Sequence, residues 1–124
     1  MREVSIVIEG KPIPQQRHRH NSKRTYNPQA KEKFYNQLLV QKQLKDHILF
    51  ILPISVSLLF YLSPSLRKKD LRHSSRPDID NLIKFYLDVM NKIVYQDDSL
   101  IYKLNASKYY SDIPRTEISI QEGE

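Results

Sequence analysis

The chain has 124 residues and no cysteine, and its 20 Lys and Arg against 14 Asp and Glu give a formal net charge of +6. This length can bury a core without disulfides or metals, and the missing cysteine excludes disulfide scaffolds, zinc–thiolate sites and thiol nucleophiles. No apolar run is long enough to span a membrane and the N-terminal residues do not resemble a signal peptide, so we expect a cytoplasmic protein with no membrane partner.

The charge is divided unevenly along the chain. Residues 1–76 carry 15 basic and 5 acidic side chains, a balance of +10, whereas residues 77–124 carry 5 basic and 9 acidic ones, a balance of −4. The sharpest change follows Arg76, where a basic segment meets Asp78 and Asp80. This order would let the first part hold a polyanion and the second a cation, although a solvated basic loop before a helix with an acidic first turn has the same pattern.

The first half of the chain predicts one strand and one helix. Alternating apolar residues from Val4 to Ile8 indicate a half-buried strand that Gly10 ends. Residues 11–26 contain two prolines and five cationic side chains without an apolar period, which is typical of a loop. Asn27 and Pro28 then predict a helix start, and the helix runs to about Lys45 with an apolar face formed by Phe34, Tyr35, Leu38 and Leu39.

The second half predicts a strand, a helix and two further strands. Residues 54–62 alternate as a strand with one strongly apolar face, and residues 80–91 return to the helical period. Short alternating runs at 102–107 and 117–120 predict the last two strands. The order β-α-β-α-β-β predicts an α+β fold in which residues 1–124 form a single domain, with two helices packed on a mixed or antiparallel sheet of about four strands.

Two pairs of aspartates are candidates for a metal site. Asp78 and Asp80 are two residues apart, so in an extended entry to the helix both carboxylates point to the same side, and Asp97 and Asp98 precede the next strand. Mg²⁺ prefers such oxygen ligands, and a bound ion can activate water for phosphodiester hydrolysis. Lys84, one turn after Asp80, could stabilise the charge on the phosphate.

Each of these residues also has a purely structural explanation. Asp80 could cap the helix, and Asp80 with Lys84 could form an exposed i,i+4 pair worth about 0.3–0.5 kcal/mol. Asp97 and Asp98 could lie in a turn before a strand. The basic segment directly before the acidic pair favours the functional explanation, because a phosphodiester substrate needs cations beside the metal ligands.

The segment PDIDNLIKFYLDVMNKIVYQDDSLIYKL, residues 77–104, resembles the signature of RusA-type Holliday junction resolvases, with its Asp-x-Asp-Asn-Leu-x-Lys helix entry and the Asp-Asp before a strand. The segments GKPIPQQRHRH and TYNPQAKEKF are similar to that family's basic Pro-containing loop and helix start. The resemblance implies a RusA-like nuclease domain with catalytic and metal-binding Asp78, Asp80 and Asp98, catalytic Lys84, and Asp97 as an alternative ligand. It further implies a homodimer that uses Mg²⁺ or Mn²⁺, without a small-molecule cofactor, to nick four-way junctions symmetrically.

The sequence therefore leads to the hypothesis of a crossover junction endodeoxyribonuclease that acts in DNA recombination and repair. The residues expected to contact DNA phosphates are Arg17, Arg19, Lys23, Arg24, Arg67, Lys68, Lys69, Arg72 and Arg76. Two alternatives stay open at this point. The protein could bind branched DNA without cutting it, or it could be a metal-dependent nuclease that acts on flaps or forks.

Overall fold

The computed structural model describes residues 2–16, 19–20, 25–26, 29–64 and 70–123, with the backbone alone at 19, 20, 25 and 26. The strands and helices in chain order are β1 (Glu3–Glu9), β2 (Arg19–His20), β3 (Thr25–Tyr26), α1 (Ala30–Gln43), β4 (Ile54–Leu62), α2 (Ile79–Met90), β5 (Ile101–Tyr110) and β6 (Arg115–Glu122). The predicted α+β class and element order are confirmed. The short β2–β3 hairpin lies in the segment predicted as a loop.

A mixed sheet with the strand order β1-β6-β4-β5 forms one layer of the fold. β4 lies antiparallel to β6 and parallel to β5. Alternate residues of β4 are buried from Ile54 to Leu62, so one face of this strand forms the core and the other is half-exposed. The core is completed by α2, which buries Leu82, Phe85, Tyr86, Val89 and Met90 as its helical period predicted.

Helix α1 departs from its prediction in two respects. It begins at Ala30 after Gln29, two residues later than expected, and the predicted Asn27–Pro28 start lies outside the described residues. Its expected apolar face is wrong for three of four residues, because Phe34, Tyr35 and Leu38 are 61%, 61% and 46% exposed while Asn36 and Val40 are buried. The fourth residue, Leu39, is partly buried against the core as expected. Its apolar residues occur on more than one side, so the helical period alone did not determine which side meets the sheet.

The two edges of the sheet differ. At the β1 edge, the Gln43 side chain pairs with the main chain of Val7, since its Oε1 accepts from the Val7 N–H at 3.0 Å and its Nε2 donates to the Val7 carbonyl at 2.6 Å. At the β5 edge, the segment 71–73 covers the C-terminal end, where Tyr110 N–H donates to Leu71 O and His73 N–H donates to Lys108 O.

The remaining part of the β5 edge, residues 101–107, has no strand beside it in the part of the chain that the structure describes; we call it the open stretch of β5. Because main-chain groups alternate along a strand and those of residues 108 and 110 point outward, those of Leu104 and Ala106 also point outward. The pairing register with β4 shifts between Ile101 and Lys103, at Tyr102. Tyr102 and Leu104 are 56% and 38% exposed. The open stretch therefore combines unpaired main-chain groups with exposed apolar side chains.

Among the described helices, neither has the length and apolar character needed to cross a membrane.

Candidate active site

Asp78 and Asp80 lie at the start of α2. Asp78 is the N-cap residue, with an extended backbone at φ −69° and ψ 142°, and Asp80 is in the first turn. Both side chains are exposed, and within the described part of the chain neither carboxylate has a hydrogen-bond or ion-pair partner. The positive end of the helix dipole favours carboxylates at this position. The two groups are therefore free to bind a ligand.

The end of β5 fixes the backbone that leads into α2. The Lys108 ammonium donates to the carbonyl oxygens of Ser75 and Pro77, at 2.8 Å each. The Leu82 N–H then donates to Asp78 O in the first turn of the helix. Because residue 77 is held by the sheet and residue 78 begins the helix, the position of the Asp78 carboxylate is set by two rigid elements.

Lys84 is exposed on α2, one turn after Asp80. The ion pair between Asp80 and Lys84 that the sequence left open is not formed, because the ion pairs among the described residues lie elsewhere. The ammonium of Lys84 is thus available to an anionic ligand near the two carboxylates.

Asp97 and Asp98 lie between α2 and β5. The Asp97 side chain accepts a hydrogen bond from the Ser99 N–H at 3.0 Å, as the cap of a short 3-10 turn over Asp98–Leu100. Hydrogen bonding from the Ser99 side chain and then from this N–H lowers the pKa of Asp97. Asp98 is exposed and lines a cavity of about 300 Å³ together with Leu87 and Tyr102.

The neighbourhood of Tyr95 places this aspartate pair beside the C-terminal half of α2. The Tyr95 hydroxyl donates to Leu87 O at 2.8 Å. Burial first, and then the nearby carboxylates of Asp98, Asp88 and Asp97, raise the pKa of Tyr95 well above its ordinary value. Asp98 is therefore close to residues 87 and 88 of α2, whereas Asp78 precedes the helix.

The structure does not bring Asp98 to Asp78 and Asp80 within one chain. Leu87 lies seven positions after Asp80 in α2, a rise of about 10 Å along the helix axis. No three His, Cys, Asp or Glu side chains of the described residues form a group that could hold a metal. A metal site that contains all three aspartates stays a prediction, and Asp98 would have to reach it from elsewhere.

Most of the predicted phosphate contacts lie outside the side chains that the structure describes: Arg17, Arg19, Lys23, Arg24, Arg67, Lys68 and Lys69. Arg72 is described, and its guanidinium binds the Asp70 carboxylate through two hydrogen bonds of 2.7 and 3.1 Å. Hydrogen bonding from Arg72 lowers the pKa of Asp70 to about 2. Arg76 is exposed near Asp78, and these two residues line a second cavity, separate from that of Asp98.

That cavity is lined by three polar or charged residues that were not among the predicted site residues. It has a volume of about 380 Å³ and is also lined by Lys11, Gln15 and Asn81. Asn81 lies inside the quoted motif, so its position next to Asp80 was a usable signal. Lys11 and Gln15 lie in the proline-containing loop, and no local pattern relates that loop to residue 78.

Comparison with known protein families identifies the family of this chain. The family described as endodeoxyribonuclease RusA matches residues 9–121, which is most of the chain. The chain belongs to this family. The match spans the strands and helices described above, except that it includes only Glu9 of β1 and omits the last residue of β6.

Two relatives are similar to this RusA-family chain. An uncharacterized protein YqaN of Bacillus subtilis (strain 168) is 32% identical over 136 aligned residues, which cover 96% of each chain. A protein described as crossover junction endodeoxyribonuclease rusA, from Lactococcus phage r1t, is 39% identical over 72 residues, which cover 56% of this chain and 55% of the phage protein. The chain is thus a member of a family of endodeoxyribonucleases that includes crossover junction resolvases.

Proposed function

We propose that this protein resolves four-way DNA junctions by paired symmetrical cuts, as a homodimer that depends on Mg²⁺ or Mn²⁺, in DNA recombination and repair. The observation that carries the proposal is the pair of unpartnered carboxylates, Asp78 and Asp80, on a fixed backbone, with Arg76 directly before them and Lys84 one turn after. Family membership supports the same reaction.

The donor atoms at the start of α2 fit a hard divalent cation, because exposed carboxylate oxygens without protein partners are the ligands such ions prefer. Asp78 and Asp80 would hold the ion, joined by Asp98 or its neighbour Asp97. A bound Mg²⁺ supplies a nucleophilic water and neutralises phosphate charge. Lys84 and Arg76 would neutralise the remaining charge of the phosphate and keep the DNA strand beside the carboxylates.

The direction of the elements suggests how Asp98 completes the site. α2 and β5 run in opposite directions, since the start of α2 is bonded to Lys108 near the end of β5 and Leu87 lies beside Asp98 ahead of it. If the open stretch of β5 pairs antiparallel with β5 of a second copy, with Leu104 opposite the partner's Leu104, then Asp98 lies opposite the partner's Tyr110. The partner's Lys108 and Pro77 lie at that level, next to the partner's Asp78.

Such a dimer would contain two composite sites. In-plane antiparallel pairing places the two-fold axis perpendicular to the sheet, so both copies of α2 lie on the same face. Each site would take Asp78 and Asp80 from one chain and Asp98 from the other. Two sites related by the two-fold axis account for symmetrical cuts, and junction selectivity would come from their spacing, because phosphate contacts carry no base sequence information.

Mixing two inactive variants tests the composite site. We expect Asp80→Asn and Asp98→Asn each to bind a labelled four-way junction and to leave it uncut in Mg²⁺ or Mn²⁺. After the two variants are unfolded and refolded together, half of the dimers are mixed and each has one intact composite site, so about a quarter of the wild-type sites return. Nicking of the labelled junction measures this recovery.

The outcomes separate the competing hypotheses. No recovery in the mixture, with both variants dimeric, would place all ligands in one chain. Wild-type cutting by Asp80→Asn would remove this residue from the site. If the wild-type protein binds junctions but cuts none in either metal, the protein is a branched-DNA-binding protein without nuclease activity. If it cuts forks or flaps in preference to four-way junctions, the proposed substrate is wrong.

A further inference from the structure

The cavity beside Asp78 is formed by two separate parts of the chain. Lys11 and Gln15 come from the proline-containing loop after β1, and Arg76 and Asn81 flank Asp78 at the start of α2. Its volume of about 380 Å³ lies within the range of ~300–1,000 Å³ that is common for ligand pockets. The carboxylate proposed to bind the metal therefore lines a cavity whose other wall is the N-terminal loop.

The N-terminal loop is held firmly against α2 and α1. Gln15 N–H donates to Asn81 O at 2.8 Å, and Ile13 N–H donates to the buried Tyr86 hydroxyl at 3.0 Å. The buried Gln29 side chain donates to Pro14 O at 2.7 Å and accepts from Gln16 N–H at 2.6 Å. These bonds fix the loop main chain before any ligand arrives, which lowers the cost of binding one.

The charge of the cavity favours an anion. Lys11 and Arg76 are both exposed, and neither forms an ion pair within the described part of the chain. Asp78 is the one carboxylate in the lining, and a divalent ion on it would make the cavity more positive still.

We propose that this cavity is a phosphate subsite, in which Lys11 and Arg76 hold a phosphate of the DNA strand that is cut. The inference rests on the proposed nuclease function and adds Lys11 to the residues that contact DNA. Lys11 has a positioning role, since it would hold the strand beside Asp78 without touching the reacting atoms. A DNA phosphodiester fits because each linkage carries one negative charge and the linkages repeat along the strand. One linkage can therefore occupy the subsite while the next linkage lies at the metal ligands.

Lys11→Ala tests the subsite, and Lys45→Ala is its matched control. Both variants remove one exposed lysine, but Lys45 follows the 14-residue α1, whose start is bonded to Pro14 through Gln29, so it lies about 20 Å from the cavity. We expect Lys11→Ala to weaken four-way junction binding in EDTA on the order of tenfold at low salt. Its slope of log affinity against log salt should fall by about one, and Lys45→Ala should change neither.

Neutral methylphosphonate linkages identify the phosphate. Placed one at a time around the cut, one of them should weaken binding by the wild-type protein more than binding by Lys11→Ala, because the variant has already lost the Lys11 contact and retains only that of Arg76 at this linkage. If Lys11→Ala and Lys45→Ala bind alike while the wild type cuts junctions, the subsite is rejected and the nuclease proposal stands. If Lys11→Ala binds weakly but the wild type never cuts, the subsite stands and the nuclease proposal fails. A wild type that binds no junction rejects both.

Discussion

The two edges of the sheet differ in how far their main-chain groups are covered. β1 and β5 both end the sheet and could expose unpaired main-chain groups, which readily pair with another chain. The amide of Gln43 occupies the middle of the β1 edge, where it pairs with both main-chain groups of Val7. On β5, the described residues cover only the C-terminal end, where Leu71 and His73 bond to it. The open stretch of β5 is left with Tyr102 and Leu104 exposed.

This difference indicates which edge is suited to a second copy. The closed β1 edge is at the opposite side of the sheet from β5, whereas the open stretch of β5 follows Asp98 and leads toward Lys108, which holds the start of α2. Pairing at β5 would thus join two copies and bring the separated carboxylates together in one step. The following substitutions test this comparison, and they are ordered from the largest expected effect to the smallest.

Leu104→Pro should have the largest effect. The Leu104 N–H points away from β4, so proline removes no hydrogen bond within the sheet but blocks pairing with a second β5. We expect a folded monomer that has lost junction cleavage by at least about 10²-fold, because the composite site is not assembled. Light scattering after size-exclusion chromatography and junction nicking measure the two effects.

Leu104→Ala is the control for this substitution, since it shortens the side chain and keeps the N–H. It should still dimerise, with an affinity weaker by roughly tenfold. A Leu104→Pro variant that stays dimeric and active would show that the open stretch of β5 is not the interface.

Gln43→Ala should have an intermediate effect at the opposite edge. It removes two hydrogen bonds to Val7 at an exposed position, so we expect a loss of about 1 kcal/mol in the free energy of unfolding, or about 4 °C in Tm. The uncovered β1 edge should also increase association beyond the dimer. Denaturant unfolding and light scattering measure both effects, with Lys42→Ala as the control, and an unchanged association state would show that Gln43 does not protect this edge.

The covered end of β5 should give the smallest effect. Hydrogen bonds from Arg72 lower the pKa of Asp70, next to Leu71, to about 2. A carboxyl whose pKa is lowered in the folded protein stabilises it above the unfolded pKa near 3.8 and loses that contribution as the pH falls toward 2. NMR titration should show Asp70 ionised at pH 3 in the wild type and its pKa near the ordinary value in Arg72→Gln. Dimerisation should be the same in both proteins between pH 5 and 8.

Local sequence patterns were sufficient for the elements that have one buried face. The alternation of residues 54–62 matched β4 at both ends, and the helical period after Asp80 gave α2 and its buried side chains. The same reasoning gave the wrong face for α1, because Phe34, Tyr35 and Leu38 follow a helical spacing but are exposed. A helical period shows how apolar residues recur along the helix but not which of them face the sheet. The orientation of α1 is set by contacts between residues far apart in sequence, such as that of Gln43 with Val7.

The candidate site was predictable in its residue types and less so in its geometry. The motif located Asp78, Asp80 and Lys84 at the start of one helix, and the structure has Asp78 as the N-cap of α2, Asp80 in its first turn and Lys84 one turn later. Whether Asp97 and Asp98 can join Asp78 and Asp80 in one metal site depends on the direction of α2 relative to β5, which no residue pattern records. The cavity with Lys11 was also not predicted from the sequence, because residues 11 and 78 are brought together by the hydrogen bond from Gln15 N–H to Asn81 O.

The bond from Lys108 to the carbonyl oxygens of Ser75 and Pro77 has a consequence for sequence divergence. Since this lysine ties the entry of α2 to the sheet, the spacing between Leu62 and Asp70 does not determine where the Asp78 carboxylate lies. Insertions, deletions and exchanged side chains in that interval can then accumulate without displacing the carboxylate. DNA preference could change by this route in descendants of the protein while the chemistry of the strand cut is inherited unaltered.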